Sequence, residues 1–254
     1  MMRGLARFLA KEMLEFLRTW RVWVLGGFLL FFALASPILA KLTPQILASV
    51  GAGQPGVIIR IPDPTYHDAY AQWIKNLSQM GSLLVIVLGA GMVAGEIASG
   101  TAQLVLTKPV SRAWFVVAKV VALLGFVVAL TALATGVVQA ETAVVFAGAP
   151  AAELWKATAV WALGAALLVG ISALASSALP TLAAVGVGVA VWLLLPVAGI
   201  WKPLADNSPA GLLGAPAAIV MGQHPTLMWP ALTTAATVVL LVAVACAVFS
   251  RREL

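Results

Sequence analysis

Long uncharged apolar runs alternate along the chain with short segments that carry its ionisable residues. A helix rises about 1.5 Å per residue and the hydrocarbon core of a bilayer is about 30 Å thick, so roughly 20 apolar residues cross it once. No charge falls between Arg21 and Lys41, between Lys75 and Glu96, or between Lys119 and Glu141, which predicts spans near 22–40, 77–95 and 114–140. The uncharged stretch from Lys156 to Lys202 has the length for two crossings. Ser172, Ser176, Ser177 and Pro180 supply the turn inside it, because proline cannot donate a backbone hydrogen bond and tends to end the preceding helix. Spans near 157–174 and 182–200 follow, and the last lies near 227–249, ahead of Arg251 and Arg252.

Between the spans the pattern changes period. Over residues 1–19, Leu5, Phe8, Leu9, Met13, Phe16 and Leu17 form a helical stripe, with Arg3, Arg7, Lys11 and Arg18 elsewhere around the helix. That is the pattern of an amphipathic interfacial helix. Its length and its Glu12 and Glu15 differ from the short positive segment of a cleaved signal, so the first apolar run is expected to be a retained span. An outer loop is expected over 41–75, irregular through Gly51, Gly53, Pro55, Gly56, Pro62 and Pro64. Its second half has helical spacing at Tyr66, Ala69, Tyr70 and Trp73 and is expected on the outer headgroup layer. The segment 202–230, rich in Gly and Pro yet mostly uncharged, suits a dip into the outer edge of the membrane where protein shields its backbone. Gly91 with Gly95, Ala90 with Ala94, and Gly186 with Gly188 permit close helix approach.

Composition decides the solvent. Of 254 residues, 62% are hydrophobic and 9% are charged, against roughly a quarter charged in soluble domains. Too few charges exist to cover a water-soluble fold, and lipid becomes the outer solvent. The net charge of +6 is dispersed in clusters beside apolar runs, which suits anionic headgroups and no nucleic acid. Basic residues near span ends are retained in the cytoplasm. With the amino terminus inside, the inner segments hold Arg3, Arg7, Lys11, Arg18, Arg21, Lys108, Arg112, Lys119, Arg251 and Arg252. The outer Lys41, Arg60, Lys75, Lys156 and Lys202 are matched by Asp63, Asp68, Glu141, Glu153 and Asp206. Tryptophan agrees: Trp20, Trp23 and Trp114 fall at predicted inner boundaries, and Trp73, Trp155, Trp201 and Trp229 at outer ones. The expectation is an all-α integral membrane protein forming a single transmembrane domain over 1–254, with an amphipathic N-terminal surface helix and both termini cytoplasmic. The lone Cys246, inside the last run, implies neither a disulfide framework nor a cysteine metal site.

The inner loop 96–112 is the most distinctive segment. Glu96 stands where the second span leaves the membrane, Gly100 is suited to ending that helix, Pro109 starts a new direction and Ser111 is placed to cap the third span. The pattern Glu96, Gly100, Thr101, Pro109, Val110, Ser111, Arg112 and then Lys119 resembles the inner-loop signature of ABC-2-type permeases, the type 2 exporter class of ATP-binding cassette transporters. The opening helix with Lys11, Glu12 and Glu15, and the ending Phe249, Ser250, Arg251, Arg252, Glu253, are similar to those of many such permeases. The resemblance implies that the opening helix and this loop contact a separate ABC ATPase (nucleotide-binding) subunit. Glu96, Gly100, Thr101, Lys108, Pro109, Ser111 and Arg112 then form a coupling element. It also implies a second permease chain, identical or related, and a prokaryotic plasma membrane. No Gly-x-x-x-x-Gly-Lys-[Ser/Thr] phosphate loop occurs, so ATP and Mg are expected on the partner, and this chain is expected to be non-catalytic and to bind no cofactor itself.

Thr131, Thr135 and Gln139 recur every four residues in the third span, and Thr233 with Thr237 in the sixth, so each set shares a helix face that could line a passage or join helices. Glu141 near the outer end of its span is a candidate for ion coupling. Met221, His224 and Met228 have a spacing open to a soft metal, but three loosely placed ligands define no metal site. The competing reading is a secondary, ion-coupled transporter, which calls for midplane carboxylates or repeated halves with broken helices. An intramembrane protease needs a Ser–His pair at depth or a His-Glu-x-x-His motif, and both His67 and His224 fall in loops. The cargo is not encoded in any motif.

Overall fold

The computed structural model describes residues 2–51, 63–107, 111–146 and 148–252. Helices occupy nearly all of them: α1 (Met2–Arg18), α2 (Trp20–Gly51), α3 (Tyr66–Asn76), α4 (Ser82–Ala98), α5 (Thr101–Leu106), α6 (Arg112–Val145), α7 (Ala151–Ala178), α8 (Thr181–Ala198), α9 (Lys202–Asn207), α10 (Pro209–Val220) and α11 (Met228–Arg251). Among the described residues there is no strand. A π-helical turn, Leu77–Gly81, joins α3 to α4 in one continuous rod. Six helices are long and apolar enough to cross a membrane.

The α3–α4 rod and α7 form the middle of the bundle, mostly buried, whereas α8 and α11 lie at its periphery with large apolar faces exposed. Small residues allow the tight central contacts. A Cβ on Gly89 of α4 would stand 2.7 Å from the Ser172 Cβ of α7, and one on Gly188 of α8 would stand 2.5 Å from Ile86 Cγ2 of α4. Helices approach closely in lipid where a side chain is missing, since packing and not water exclusion drives their association. The expected close pairs are therefore corrected in part: Gly188 makes such an approach, but Gly95 and Gly186 face open space.

Neutral hydrogen bonds pin the rod to its neighbours. Asn76 Nδ2 donates to Ser36 Oγ at 3.1 Å, and Ser36 Oγ in turn donates to Phe32 O at 2.6 Å, one turn back in α2 and just ahead of Pro37. Tyr70 Oη donates to Gln139 Oε1 of α6 at 3.1 Å. Aromatic stacking adds Phe16 on Phe126 and Phe115 on Phe249, each with ring centroids 5.2 Å apart.

Two boundaries differ from the sequence reading, for one reason: a charge-free ruler stops at any charge, while a helix continues through a charge that faces outward or is paired. Lys41 lies inside α2, exposed, so 41–75 is not one loop. Lys75 is exposed on the α3–α4 rod, whose helix starts at Tyr66 under a capping box of Thr65 and Asp68. Lys119, within the expected span 114–140, lies inside α6 and is buried. The segment expected on the outer headgroup layer is instead built into the bundle, with Tyr70 and Trp73 fully buried, so Trp73 is not a headgroup anchor. The stretch after Lys202 is helical in α9 and α10, and α10 buries Leu212, Ala215, Ile219 and Val220.

Candidate functional site

Helix α1 and the last turn of α11 both pack against α6. Helix α1 lies across α6 and presents Glu12 beside Met13 and Phe16 on its packed side. Glu12 is 2% exposed and Lys119 is 3% exposed, an unusual depth for charged groups. The Lys119 ammonium donates to Glu12 Oε2 at 2.9 Å and also to Glu96 Oε1. It lies 4.9 Å from the centroid of the Phe115 ring, a favourable place for a cation. One lysine thus ties the opening helix, the end of α4 and the start of α6 into a single buried clamp. Lys11 pairs with Glu12 at 3.1 Å and with Glu15 at 2.7 Å at its edge. Burial pulls the Lys11 ammonium toward the neutral form, but Glu15 and Glu12 outweigh it and raise its pKa above the ordinary lysine value.

Beside the clamp a cavity of about 290 Å³ is lined by Glu15, Thr19, Trp20, Met92, Ser99 and Thr101 together with the clamp residues. Oxygens of Glu12, Glu15 and Glu96 come within 4.8 Å of one another, a carboxylate cluster of the sort that can hold a cation. The protein already supplies one in Lys119.

The loop leaving Glu96 is ordered by small polar groups. Gly100 has φ +74°, a left-handed conformation that side chains disfavour. Thr101 Oγ1 donates back to Glu96 O at 3.3 Å and lies 2.8 Å from Ser99 Oγ. The exposed helix α5 follows, and Ser111 then caps α6 by accepting from Trp114 N at 3.3 Å. Arg112 reaches the other end of the chain: its Nη1 donates to Ser250 O at 3.1 Å and Arg252 O at 2.6 Å. Arg252 Nη1 donates to Ser177 O of α7 at 2.9 Å. Those carbonyls end helices and carry partial negative charge, which a guanidinium satisfies. Lys108 and Pro109 lie outside the described residues.

The structure thus joins Glu96 to Lys119 and Glu12, sets Gly100 and Thr101 at the end of α4, and sets Ser111 and Arg112 at the start of α6 beside the end of α11; Glu12 and Lys119 are not among the residues the sequence reading names for coupling. A signal for both existed. Glu12 falls four residues before Phe16 on the apolar stripe, and Lys119 falls two turns inside an apolar helix. The threonines divide. Thr135 Oγ1 donates to Thr131 O at 2.8 Å and lies 3.3 Å from Thr158 Oγ1 of α7, and Gln139 holds Tyr70, so this face joins helices. Thr233 and Thr237 bond back to their own helix at Trp229 O and Thr233 O, while the buried residue of that turn is Thr234. Met221, His224 and Met228 are all exposed. At the opposite end His67 Nδ1 donates to Val220 O at 2.6 Å, which ties α3 to α10.

A bundle with six membrane-length apolar helices among the described residues, and its buried charges Glu12 and Lys119 gathered where α1 packs on α6, is a multi-pass membrane protein. The chain belongs to the ABC-2 transporter family: the family model described as ABC-2 family transporter protein matches residues 7–254. It is also similar, at 26% identity over 118 residues, to the uncharacterized transmembrane protein YxlG of Bacillus subtilis (strain 168). That match spans 46% of each chain, about half the length of this curated relative. The family assignment agrees with the resemblance carried by Glu96 to Lys119. It makes the chain a membrane component of a transporter, a class that is generally non-catalytic.

Proposed function

We propose that this chain is the permease subunit of an ATP-binding cassette exporter, moving substrate with energy from ATP hydrolysed on a separate nucleotide-binding subunit. The observation that carries the reading is the clamp of Glu12, Lys119 and Glu96. Through it, α1 and the loop 96–112 cannot shift independently of α4 and α6, so a push at that face is delivered to two spans at once. Arg112 and Arg252 extend the connection to α7 and α11. Helix α5 presents Leu104, 70% exposed, at the middle of the loop, a suitable contact for a partner.

In this reading the face is cytoplasmic, consistent with its excess of basic residues, and both termini lie inside a prokaryotic plasma membrane. ATP and Mg bind the partner, and this chain binds neither a cofactor nor a metal. A second permease chain, homodimeric or heterodimeric, completes the pathway.

The test is co-expression of a tagged chain with candidate ATPase subunits, followed by purification in mild detergent and measurement of ATP turnover. The native chain should retain an ATPase. Leu104→Glu, at a side chain that is 70% exposed, should lose it with no change in elution or thermal stability. The double change Glu96→Lys, Arg112→Glu should weaken or uncouple it. If a folded native chain retains no ATPase, ATP coupling falls, and ion-dependent uptake with a Glu141→Gln control becomes the experiment for a secondary transporter.

A further inference from the structure

At the end of the bundle away from the clamp, α3, α7 and α10 meet around one histidine. The last four carbonyls of an α-helix have no partner within the helix. In α10 three of the four are taken up by the turn that follows: Met221 N donates to Ala217 O at 3.3 Å, Gln223 N to Ala218 O at 2.9 Å and Gly222 N to Ile219 O at 3.0 Å. Gly222, with φ +74°, supplies the left-handed residue such a turn needs. The fourth carbonyl, Val220 O, accepts from His67 Nδ1 at 2.6 Å. A side chain from the first turn of α3 thus completes the cap at the end of α10.

The ring is placed to carry a charge. With the Nδ1 hydrogen committed to Val220 O, a second proton enters at Nε2, which has no hydrogen-bond partner among the described residues, so protonation breaks no bond. The side chain is 32% exposed, which gives that proton access from water. Three neighbours suit a cation. Val220 O closes a helix whose carbonyl end carries partial negative charge, and a hydrogen bond from a charged donor is roughly twice as strong as a neutral one. Glu153 Oε2 lies 4.0 Å from Nδ1 with no hydrogen-bond partner, in the first turn of α7, where a carboxylate suits the helix dipole. The Tyr66 ring lies against the imidazole, centroids 4.1 Å apart. The other ionisable groups on the packed elements are engaged elsewhere or exposed. Asp68 of α3 accepts from Thr65 and Tyr70 Oη donates to Gln139. Lys75 of α3, Lys156 of α7, Lys41 of α2 and His224 beyond α10 are exposed, and Glu141 of α6 forms no ion pair with the ring.

We propose that His67 is a proton-operated latch, which holds the end of α10 to α3 and α7 more tightly when its ring is charged. In acid the cap on Val220 O is charge-assisted and Glu153 attracts the ring. As pH rises through the range in which histidine gives up its proton, about 5 to 8, the cap falls back on a neutral hydrogen bond and the attraction to Glu153 is lost. The docked state is the one that favours the proton, so docking weakens as pH rises. Helix α10 packs on α7, α8 and α11, and the latch therefore sets how firmly a short apolar helix is seated among three others. Both His67 and Glu153 are about one-third exposed, and water screens such a pair. The expected effect is accordingly about three- to tenfold in the docking equilibrium. The latch belongs to one chain and needs no ATPase, so its failure leaves the coupling proposed above untouched.

The experiment measures opening of the α10 end in the full chain, purified in mild detergent. Cys246→Ala removes the native thiol. Val220→Cys then places one at a fully buried side chain, and Met221→Cys, in a separate chain, places one at its exposed neighbour. Both react with a dithiodipyridine at about pH 5.5 and about pH 8, either side of the middle of the histidine range, and the ratio of their rates removes the pH dependence of the thiol chemistry. That buried-to-exposed ratio should be about three- to tenfold lower in acid. His67→Gln keeps a neutral donor for Val220 O and should make the ratio equal at the two pH values. Glu153→Gln should shrink the difference, and His224→Gln, at the other of the two histidines, should leave it intact. The proposal is overturned if the parent ratio does not fall in acid, if the fall survives His67→Gln or disappears in His224→Gln, or if Glu153→Gln behaves as its parent. Should Val220→Cys fail to fold, Ile219→Cys, also at a buried side chain, carries the same series; should His67→Gln fail, the parent, Glu153→Gln and His224→Gln decide the matter.

Discussion

The two ends of the bundle are held together by different physics. At the end where α1 and the last turn of α11 pack on α6, Lys119 balances Glu12 and Glu96 in a nearly dry setting, and Arg112 and Arg252 close helix ends by donating to their carbonyls. Toward the other end the hydrogen bonds are neutral: Asn76 to Ser36, Tyr70 to Gln139, His67 to Val220, with the Glu153 carboxylate 4.0 Å from His67 Nδ1. A neutral hydrogen bond between membrane helices is worth little, because the separated helices find other partners. A buried charge has no such alternative. Removing one member of a buried ionic group leaves the others uncompensated, and the loss far exceeds what the group contributed as a set. The charged end should therefore respond to mutation as a unit, the neutral end by small increments.

The largest effect belongs to Lys119. Lys119→Met leaves Glu96 without its partner and Glu12 with the half-exposed Lys11 alone, and should cost about 3–5 kcal/mol, read as a marked drop in the temperature at which the detergent-solubilised protein loses its monodisperse elution peak. The sharper form of the test adds Glu12→Gln and Glu96→Gln to Lys119→Met. Most of the lost stability should return in the triple variant, since no charge is then buried alone. A triple variant no better than the single would show that Lys119 acts by packing, and the contrast between the two ends would fail.

Packing, common to both ends, ranks next. Gly89→Ala places a Cβ against Ser172 Cβ, an atom that cannot rotate away, and overpacking of this kind costs about 1–3 kcal/mol. Gly186→Ala, on the same kind of helix but facing open space, should leave thermal stability unchanged or raise it slightly, by up to about 1 kcal/mol from helix propensity. Equal effects of the two changes would mean that α4 and α7 are not in close contact.

The legibility of these features in the sequence follows their physics. Six spans and the one-sided distribution of basic residues are statements about transfer into lipid, which depends on composition within a window, and they could be read directly. Ser111 and Gly100 could be read because capping and left-handed turns are local. The clamp could not be assembled, since Glu12 and Lys119 are 107 positions apart in sequence and nothing local says which charge meets which. Lys119 falls inside the expected span 114–140, and a charge in an apolar helix is either at the surface or paired; the pattern does not say which. The π turn and the burial of Trp73 were invisible too. The π turn carries a tertiary bond, Trp192 Nε1 to Ser78 O, that no local pattern announces, and tryptophan's headgroup preference yields where a whole helix is enclosed by its neighbours.

At the neutral end, Tyr70→Phe removes the donor to Gln139 Oε1 and the longer bond to Pro150 O at 3.3 Å while keeping the ring that packs in the core. The expected loss is about 0.6 kcal/mol, the average for such bonds between membrane helices. Measured by the same heating series, a loss as large as that of Lys119→Met would erase the distinction between the ends.

The smallest effect is expected from a lysine next to the clamp itself. Lys11 pairs with Glu12 and Glu15, as Lys119 pairs with Glu12 and Glu96, but its side chain is 47% exposed. Water screens an exposed pair and side-chain ordering offsets most of what remains, so Lys11→Met should cost well under about 1 kcal/mol. Its pKa is raised in the folded protein, so its contribution is complete at every pH below the ordinary lysine value and is lost only as pH rises through the raised one. The difference between native chain and Lys11→Met should accordingly be flat from mildly acidic to mildly alkaline conditions and should close only in strong alkali. A large, pH-independent loss instead would place Lys11 inside the buried clamp and extend the charged unit to the surface of α1.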